Sequence, residues 1–161
     1  MNIYDFAMKM EMDGEEYYRD LASKCELPAL QNILELLAND EVIHYNVVKK
    51  IKDHIPAELA ETSVLKNAKN VFSQLKEQKF EFELKGSEIN LYKKALEIEN
   101  KSENFYREKA SQLDSPEAKE LFLKIAKQER YHGFLIENMI VFLLRPKNWV
   151  ENGEYNHLDE Y

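Results

Sequence analysis

The sequence predicts an all-α fold: a four-helix bundle of two αα-hairpins joined by one long crossover. Three observations lead there. The first is composition: Gly and Pro number only four each and charged residues make up 32%, which favours helices over a β-fold. The second is an internal repeat. Glu11, Glu41 and His44 recur as Glu99, Glu129 and His132, and 99−11, 129−41 and 132−44 all give 88. Ala7, Glu15, Tyr18, Arg19, Ala22, Pro28 and Ala38 recur at the same offset as Ala95, Glu103, Tyr106, Arg107, Ala110, Pro116 and Ala126. The third is the stretch between the repeats, residues 54–87, far longer than the roughly 2–8 residues of a simple helix-helix turn.

The chain reads as one domain over 1–161: a first hairpin over 1–53, the crossover over 54–87, a second hairpin over 88–145 and a tail over 146–161. The first helix is expected from Ile3 to Ser23, where Phe6, Met10, Tyr17 and Leu21 recur at helical spacing. Pro28 suits the first turn of the second helix, which runs to Asp53 before Ile55-Pro56 stops it. Val64, Leu65, Ala68, Val71, Phe72 and Leu75 predict a short amphipathic helix inside the crossover, and Phe80, Phe82 and Leu84 then alternate with polar residues. A crossover that runs the length of the bundle leaves the second and third helices parallel. The third helix is expected from near Ser87 to Gln112. Ser115 is placed to cap the fourth, with Pro116 at its first position, and that helix ends before Arg145-Pro146. The tail is polar and aromatic, without the pattern of another long helix.

The net charge of −8 argues against nucleic acid or an anionic membrane as a partner. Cys25 is the only cysteine, so a disulfide within the chain and a four-cysteine iron site are both excluded. Acidic residues come too early for a signal peptide, and the longest apolar run, Met139 to Leu144, is far short of the ~20 residues of a spanning helix. A soluble, cytoplasmic protein is expected.

The six repeated Glu and His residues are the candidate metal ligands. Glu11 and Glu41 are centred on position 26, Glu99 and Glu129 on position 114, and both centres fall at hairpin turns. Each carboxylate then lies ~20 Å from its turn along its own helix, at about 1.5 Å per residue, so both pairs reach one depth of the bundle. Glu-x-x-His puts the two side chains on one helix face. Four carboxylates offset two divalent ions, and carboxylate-rich sites with one imidazole per metal suit iron or manganese better than zinc. Without metal, acids so clustered in a core repel one another and take up protons. Glu15, Glu103, Tyr18 and Tyr106, one and two turns beyond the ligands, are candidates to orient them, against surface exposure for the acids and core packing for the tyrosines. His54 and His157 have no such context and read as surface residues, and Cys25 as incidental.

Ala7-x3-Glu11-x2-Gly14-x3-Tyr18, Glu41-Val-Ile-His44, Ala95-x3-Glu99-x6-Tyr106 and Glu129-Arg-Tyr-His132 together resemble the rubrerythrin-like branch of the ferritin-like diiron carboxylate proteins, as does the closing stretch from Pro146 to Glu154. The resemblance covers about residues 1–155. It implies a ferritin-like bundle holding two iron ions (manganese is an alternative), with Glu11 and Glu99 as terminal ligands, Glu41 and Glu129 bridging, and His44 and His132 each on one ion. It implies no catalytic residue beyond those ligands. Two departures stand out. With one cysteine, these 161 residues do not include the rubredoxin domain of full rubrerythrins, so the electron donor is expected to be a separate rubredoxin- or ferredoxin-like protein. Members of the branch also carry an additional Glu three residues before the third-helix ligand, where this chain has Leu96; the six-ligand set is closer to a bacterioferritin-type site. The expected function is reduction of hydrogen peroxide or O2, by a homodimer. The alternatives are iron oxidation for storage or detoxification, and a non-catalytic metal-binding bundle.

Overall fold

Five helices make up the regular structure of residues 2–76 and 86–144, the part of the chain that this computed structural model describes: α1 (Ile3–Lys24), α2 (Pro28–Lys52), α3 (Val64–Lys76), α4 (Gly86–Ala110) and α5 (Pro116–Leu144). The Phe80/Phe82/Leu84 alternation and the tail from residue 146 lie outside the described residues.

The local signals for these helices act as their chemistry dictates. Asn2 caps α1, its side chain accepting from the Asp5 N–H at 2.8 Å. α2 and α5 both start on a proline, whose missing N–H is one that a helix start leaves unpaired anyway. The Ser115 hydroxyl accepts from the Ala118 N–H at 3.2 Å and caps α5 as expected. α2 ends as His54 turns into the left-handed region (φ 58°), and the Ile55 N–H closes back on the Lys50 carbonyl at 2.8 Å. His54 itself is exposed.

α1 pairs with α2, and α4 with α5, as antiparallel hairpins. Hydrogen bonds between the hairpins give the remaining directions. Tyr18 reaches Glu99 and Tyr106 reaches Glu11, so α4 descends as α1 ascends. His44 meets Gln128 and Asp40 meets His132, so α2 and α5 are antiparallel too. It follows that α2 and α4 are parallel, and the connector between them must travel the length of the bundle. The fold is a ferritin-like four-helix bundle. The crossover takes the seam between α2 and α5: Ala60 and Thr62 bond to residues of those helices at mid-bundle, and α3 packs Val64, Ala68 and Phe72 onto the same pair. Phe72 meets the edge of Phe142 with ring centroids 6.0 Å apart.

The inward stripe of α1 differs from the one that periodicity suggested. Ala7, Glu11, Gly14, Tyr18 and Leu21 are buried, whereas Phe6 is 50% exposed and Met10 and Tyr17 are only partly covered. The apolar series sits beside the core stripe, towards α4: Phe6 stacks on Phe105 at 5.0 Å, and the Tyr17 hydroxyl donates to the Leu91 carbonyl at 2.6 Å. The stripe that faces the core contains a carboxylate and a glycine, which a hydrophobicity pattern cannot detect.

Two apolar layers result. One surrounds the α1–α2 turn with Leu30, Ile33, Leu34, Leu37, Ile136 and Met139; the other surrounds the α4–α5 turn with Val48, Tyr106, Phe122, Ile125 and Ala126. Cutting any one of these buried aliphatic side chains back to alanine would cost roughly 2–5 kcal/mol. Between the layers lies a buried polar layer.

Candidate metal centre

All six candidate ligands lie in that polar layer. Glu11, His44 and His132 are 0% exposed, Glu99 and Glu129 1%, and Glu41 3%. One comes from α1, one from α4, and two each from α2 and α5. The Glu-x-x-His spacing does its part locally: Glu41 and His44, and Glu129 and His132, share the inward face of their helices. The imidazole rings lie nearly parallel with centroids 5.8 Å apart.

Two four-residue sets have donor atoms within 4.8 Å of one another: Glu11, Glu41, His44 and Glu129, and Glu41, Glu99, Glu129 and His132. Glu41 and Glu129 belong to both, while Glu11 and His44 belong to one and Glu99 and His132 to the other. His44 Nδ1 is 3.0 Å from Glu129 Oε1 and 3.5 Å from Glu11 Oε2. His132 Nδ1 is 3.1 Å from Glu41 Oε1 and 3.3 Å from Glu99 Oε1.

Five buried side-chain atoms here lack a hydrogen-bond partner: Glu11 Oε2, Glu41 Oε1, His44 Nδ1, Glu99 Oε2 and Glu129 Oε1. A buried polar atom without a hydrogen bond is costly, and four carboxylate oxygens with one imidazole nitrogen are a donor set that a pair of cations satisfies. The residues therefore fit a metal centre. Their other atoms are held from behind. The Tyr18 hydroxyl donates to Glu99 Oε1, and the Tyr106 hydroxyl to Glu11 Oε1 at 2.7 Å. Ser102 donates to Glu129 Oε2 at 2.5 Å. His44 Nε2 pairs with Gln128 Oε1 at 2.8 Å, and His132 Nε2 with Asp40 Oδ2 at 2.9 Å. Each imidazole thus turns its Nε2 to an outer partner and its Nδ1 to the carboxylates.

The protonation pattern follows from burial and crowding. Burial raises Glu41 well above the usual carboxylate range, and repulsion from Glu11, Glu129 and Glu99 adds to it. Burial and Glu129 raise Glu99 to about 7, and burial and Glu129 also raise Glu11. Burial pushes Glu129 upward as well, but His44, His132 and Ser102 outweigh it and hold that carboxyl at about 2. Burial opposes charge on both histidines, yet the surrounding carboxylates raise them well above the ordinary imidazole value. In the metal-free cluster Glu11, Glu41, Glu99 and both histidines therefore hold protons more readily than in the unfolded chain, and Glu129 less readily.

Tyr18 and Tyr106 contact two of the candidate ligands, Glu99 and Glu11, directly. Glu15 and Glu103 are half-buried and pair with Arg19 and Arg107, each at 2.8 Å. Glu15 also lines a pocket of 290 Å³ between α1 and α2 that reaches Glu11 and Glu41 from the surface. Asp40, Gln128 and Ser102 were not picked out in the sequence. Their signal was present: 128−40 and 102−14 are both 88, so the repeat makes Asp40 equivalent to Gln128 and Gly14 to Ser102. Gly14 has a steric role, since a Cβ there would come within 2.8 Å of Glu41 Oε2.

A family model described as Rubrerythrin matches residues 2–140 of the chain. No curated protein and no solved structure matches it. Among the described residues, no helix is long and apolar enough to cross a membrane.

Proposed function

The chain belongs to the rubrerythrin family, and from that premise we propose that it is a dinuclear iron protein that reduces hydrogen peroxide with electrons from a separate donor protein. The observation that carries the reading is the ring of five buried, unpartnered donor atoms shared between two overlapping ligand sets. Iron fits better than zinc because the set is rich in hard carboxylate oxygen, and manganese would fit the same donors.

Glu41 and Glu129 would be shared by the two ions, Glu11 and His44 would complete one set, and Glu99 and His132 the other. When bound, such a pair supplies one electron from each ferrous ion and open coordination positions for the oxidant. This chain's residues prepare that chemistry. Asp40 and Gln128 would accept the Nε2 protons of the histidines, which would leave both Nδ1 atoms to the metal. Tyr18, Tyr106 and Ser102 hold the outer carboxylate oxygens, so the inner ones stay aimed at the centre. The apolar layers above and below exclude bulk water. Each peroxide takes up two electrons and two protons and leaves as two waters. The donor that restores the electrons is a separate small redox protein, and the working assembly is a homodimer in the cytoplasm.

A second reading, iron oxidation for storage or detoxification, is favoured by the matched composition of the two ligand sets and by Leu96 in place of an additional carboxylate. One experiment separates the readings. Anaerobic protein loaded with two ferrous ions is mixed with peroxide, then with O2, and its oxidation followed optically. Faster oxidation by peroxide, with turnover only when a donor is added, is the expected result. Faster oxidation by O2 with continued uptake of iron would favour the second reading. Oxidation by both at the rate of free ferrous ion would leave a non-catalytic metal-binding bundle.

A further inference from the structure

The two repeats supply identical ligand types, but what stands behind the two histidines differs. Asp40 and Gln128 occupy equivalent positions, and each reaches across the bundle to the histidine of the other hairpin. The crossover locks both as acceptors. The Thr62 hydroxyl donates to Asp40 Oδ2. Gln128 Nε2 donates to the Ala60 carbonyl at 2.8 Å, which leaves its Oε1 for His44. The difference is therefore chemical rather than geometric: a carboxylate behind His132, a neutral amide behind His44. A carboxylate accepting from one imidazole nitrogen makes the other a stronger donor to metal, and adds a negative charge near the cation; an amide fixes the ring without that charge.

We propose that the centre is asymmetric by construction: the ion held by His132, backed by Asp40, binds more tightly and fills first, and the ion held by His44, backed by Gln128, is the weaker one. The inference rests on the reading of the six residues as metal ligands. Asp40 and Gln128 act through the histidines and are positioning residues.

The test is an anaerobic titration of the metal-free full chain with Co2+, followed by absorbance and calorimetry. Two binding steps are expected, separated by roughly 10- to 100-fold in dissociation constant, the usual effect of such outer partners. Asp40→Asn keeps the shape and removes the charge; it should weaken the first step and draw the two together. Gln128→Glu adds a charge behind His44 and should tighten the second step. In the double variant the order should reverse, read from the paramagnetically shifted Nε2–H signals and assigned with His44→Ala and His132→Ala. A melting curve of each metal-free variant shows whether it folds, and Gln128→Glu decides the matter if Asp40→Asn does not. A purely structural role for Asp40 would lower its melting temperature and leave the ratio of the two steps unchanged, which would overturn the inference. Equal intrinsic affinities in the unaltered protein would overturn it while leaving the ligand reading intact. Failure to bind cobalt at all would overturn both.

Discussion

The two halves of the buried cluster share their candidate ligand types but not their support. The first repeat presents Glu41 beside a glycine, Gly14, whose missing side chain leaves room for the carboxylate. The second presents Glu129 beside Ser102, whose hydroxyl donates to it. In the metal-free protein these two central carboxylates titrate in opposite directions, Glu41 well above the ordinary range and Glu129 down at about 2. Duplication supplies matched carboxylates and imidazoles, and single changes at equivalent outer positions then make the halves unequal. The outer seams differ too. The crossover covers the α2–α5 seam, while the α1–α4 seam opens as a groove of 950 Å³ with Phe6, Tyr17 and Phe105 along it.

The most severe way to break the comparison is to remove a shared ligand. Glu41→Ala or Glu129→Ala should abolish paired metal binding, because each belongs to both ligand sets. Glu11→Ala or Glu99→Ala should cost one ion of the two, and Glu15→Ala or Glu103→Ala neither. Metal content per chain after dialysis is the measurement, and equal content in all six variants would defeat the assignment.

The next effect is on stability and pH. Glu11, Glu41 and Glu99 are raised from 4.5, and His44 and His132 from 6.5, so the folded metal-free protein holds more protons than the unfolded chain. Stability from these groups is full below the unfolded values and is lost as pH rises through the folded ones. Glu129 has the opposite sign, and its contribution disappears as pH falls from 4.5 towards about 2. The metal-free melting temperature should therefore peak near pH 4.5 and fall as the pH rises through about 7. The Glu99 carboxyl alone, raised from 4.5 to about 7, withdraws on the order of 3 kcal/mol as it ionises, or roughly 10 °C for a chain of this size. Loading with metal should abolish the decline above neutrality, since binding takes up the deprotonated ligands. A metal-free melting temperature that rises from pH 5 to 8 would refute the protonation pattern.

Gly14→Ala sharpens the contrast between the repeats. The added Cβ would crowd Glu41 Oε2 at 2.8 Å, so metal affinity should fall, by roughly ten-fold if the carboxylate is displaced from its position. The metal-free protein should be no less stable, because Ala is favoured over Gly in a helix by about 1 kcal/mol. Metal titration and thermal melting of one variant would then move in opposite senses. Ser102→Ala should change metal content least, because it leaves all six candidate ligands in place and removes a single donor to Glu129. Its mark should be a higher pKa for Glu129, measurable by carboxyl NMR in the metal-free protein.

Much of this was legible in the chain itself. The 88-residue repeat located the six cluster residues and placed them at one depth, because helix rise is constant and the carboxylates are equidistant from their turns. Pro28, Ser115, Pro116 and the amphipathic run from Val64 marked helix starts through local chemistry that does not depend on the rest of the fold. What stands behind the ligands was decided only by the tertiary structure. Asp40 and Gln128 are separated from the histidines they hold by 92 and 84 positions, and Thr62 from Asp40 by 22. Those bonds exist because α2 and α5 pack antiparallel beneath the crossover. No periodicity within one helix encodes which face of a distant helix it will meet. The inward stripe of α1 was hidden for a related reason: its core side carries Glu11 and Gly14, whose burial depends on partners supplied by the other helices.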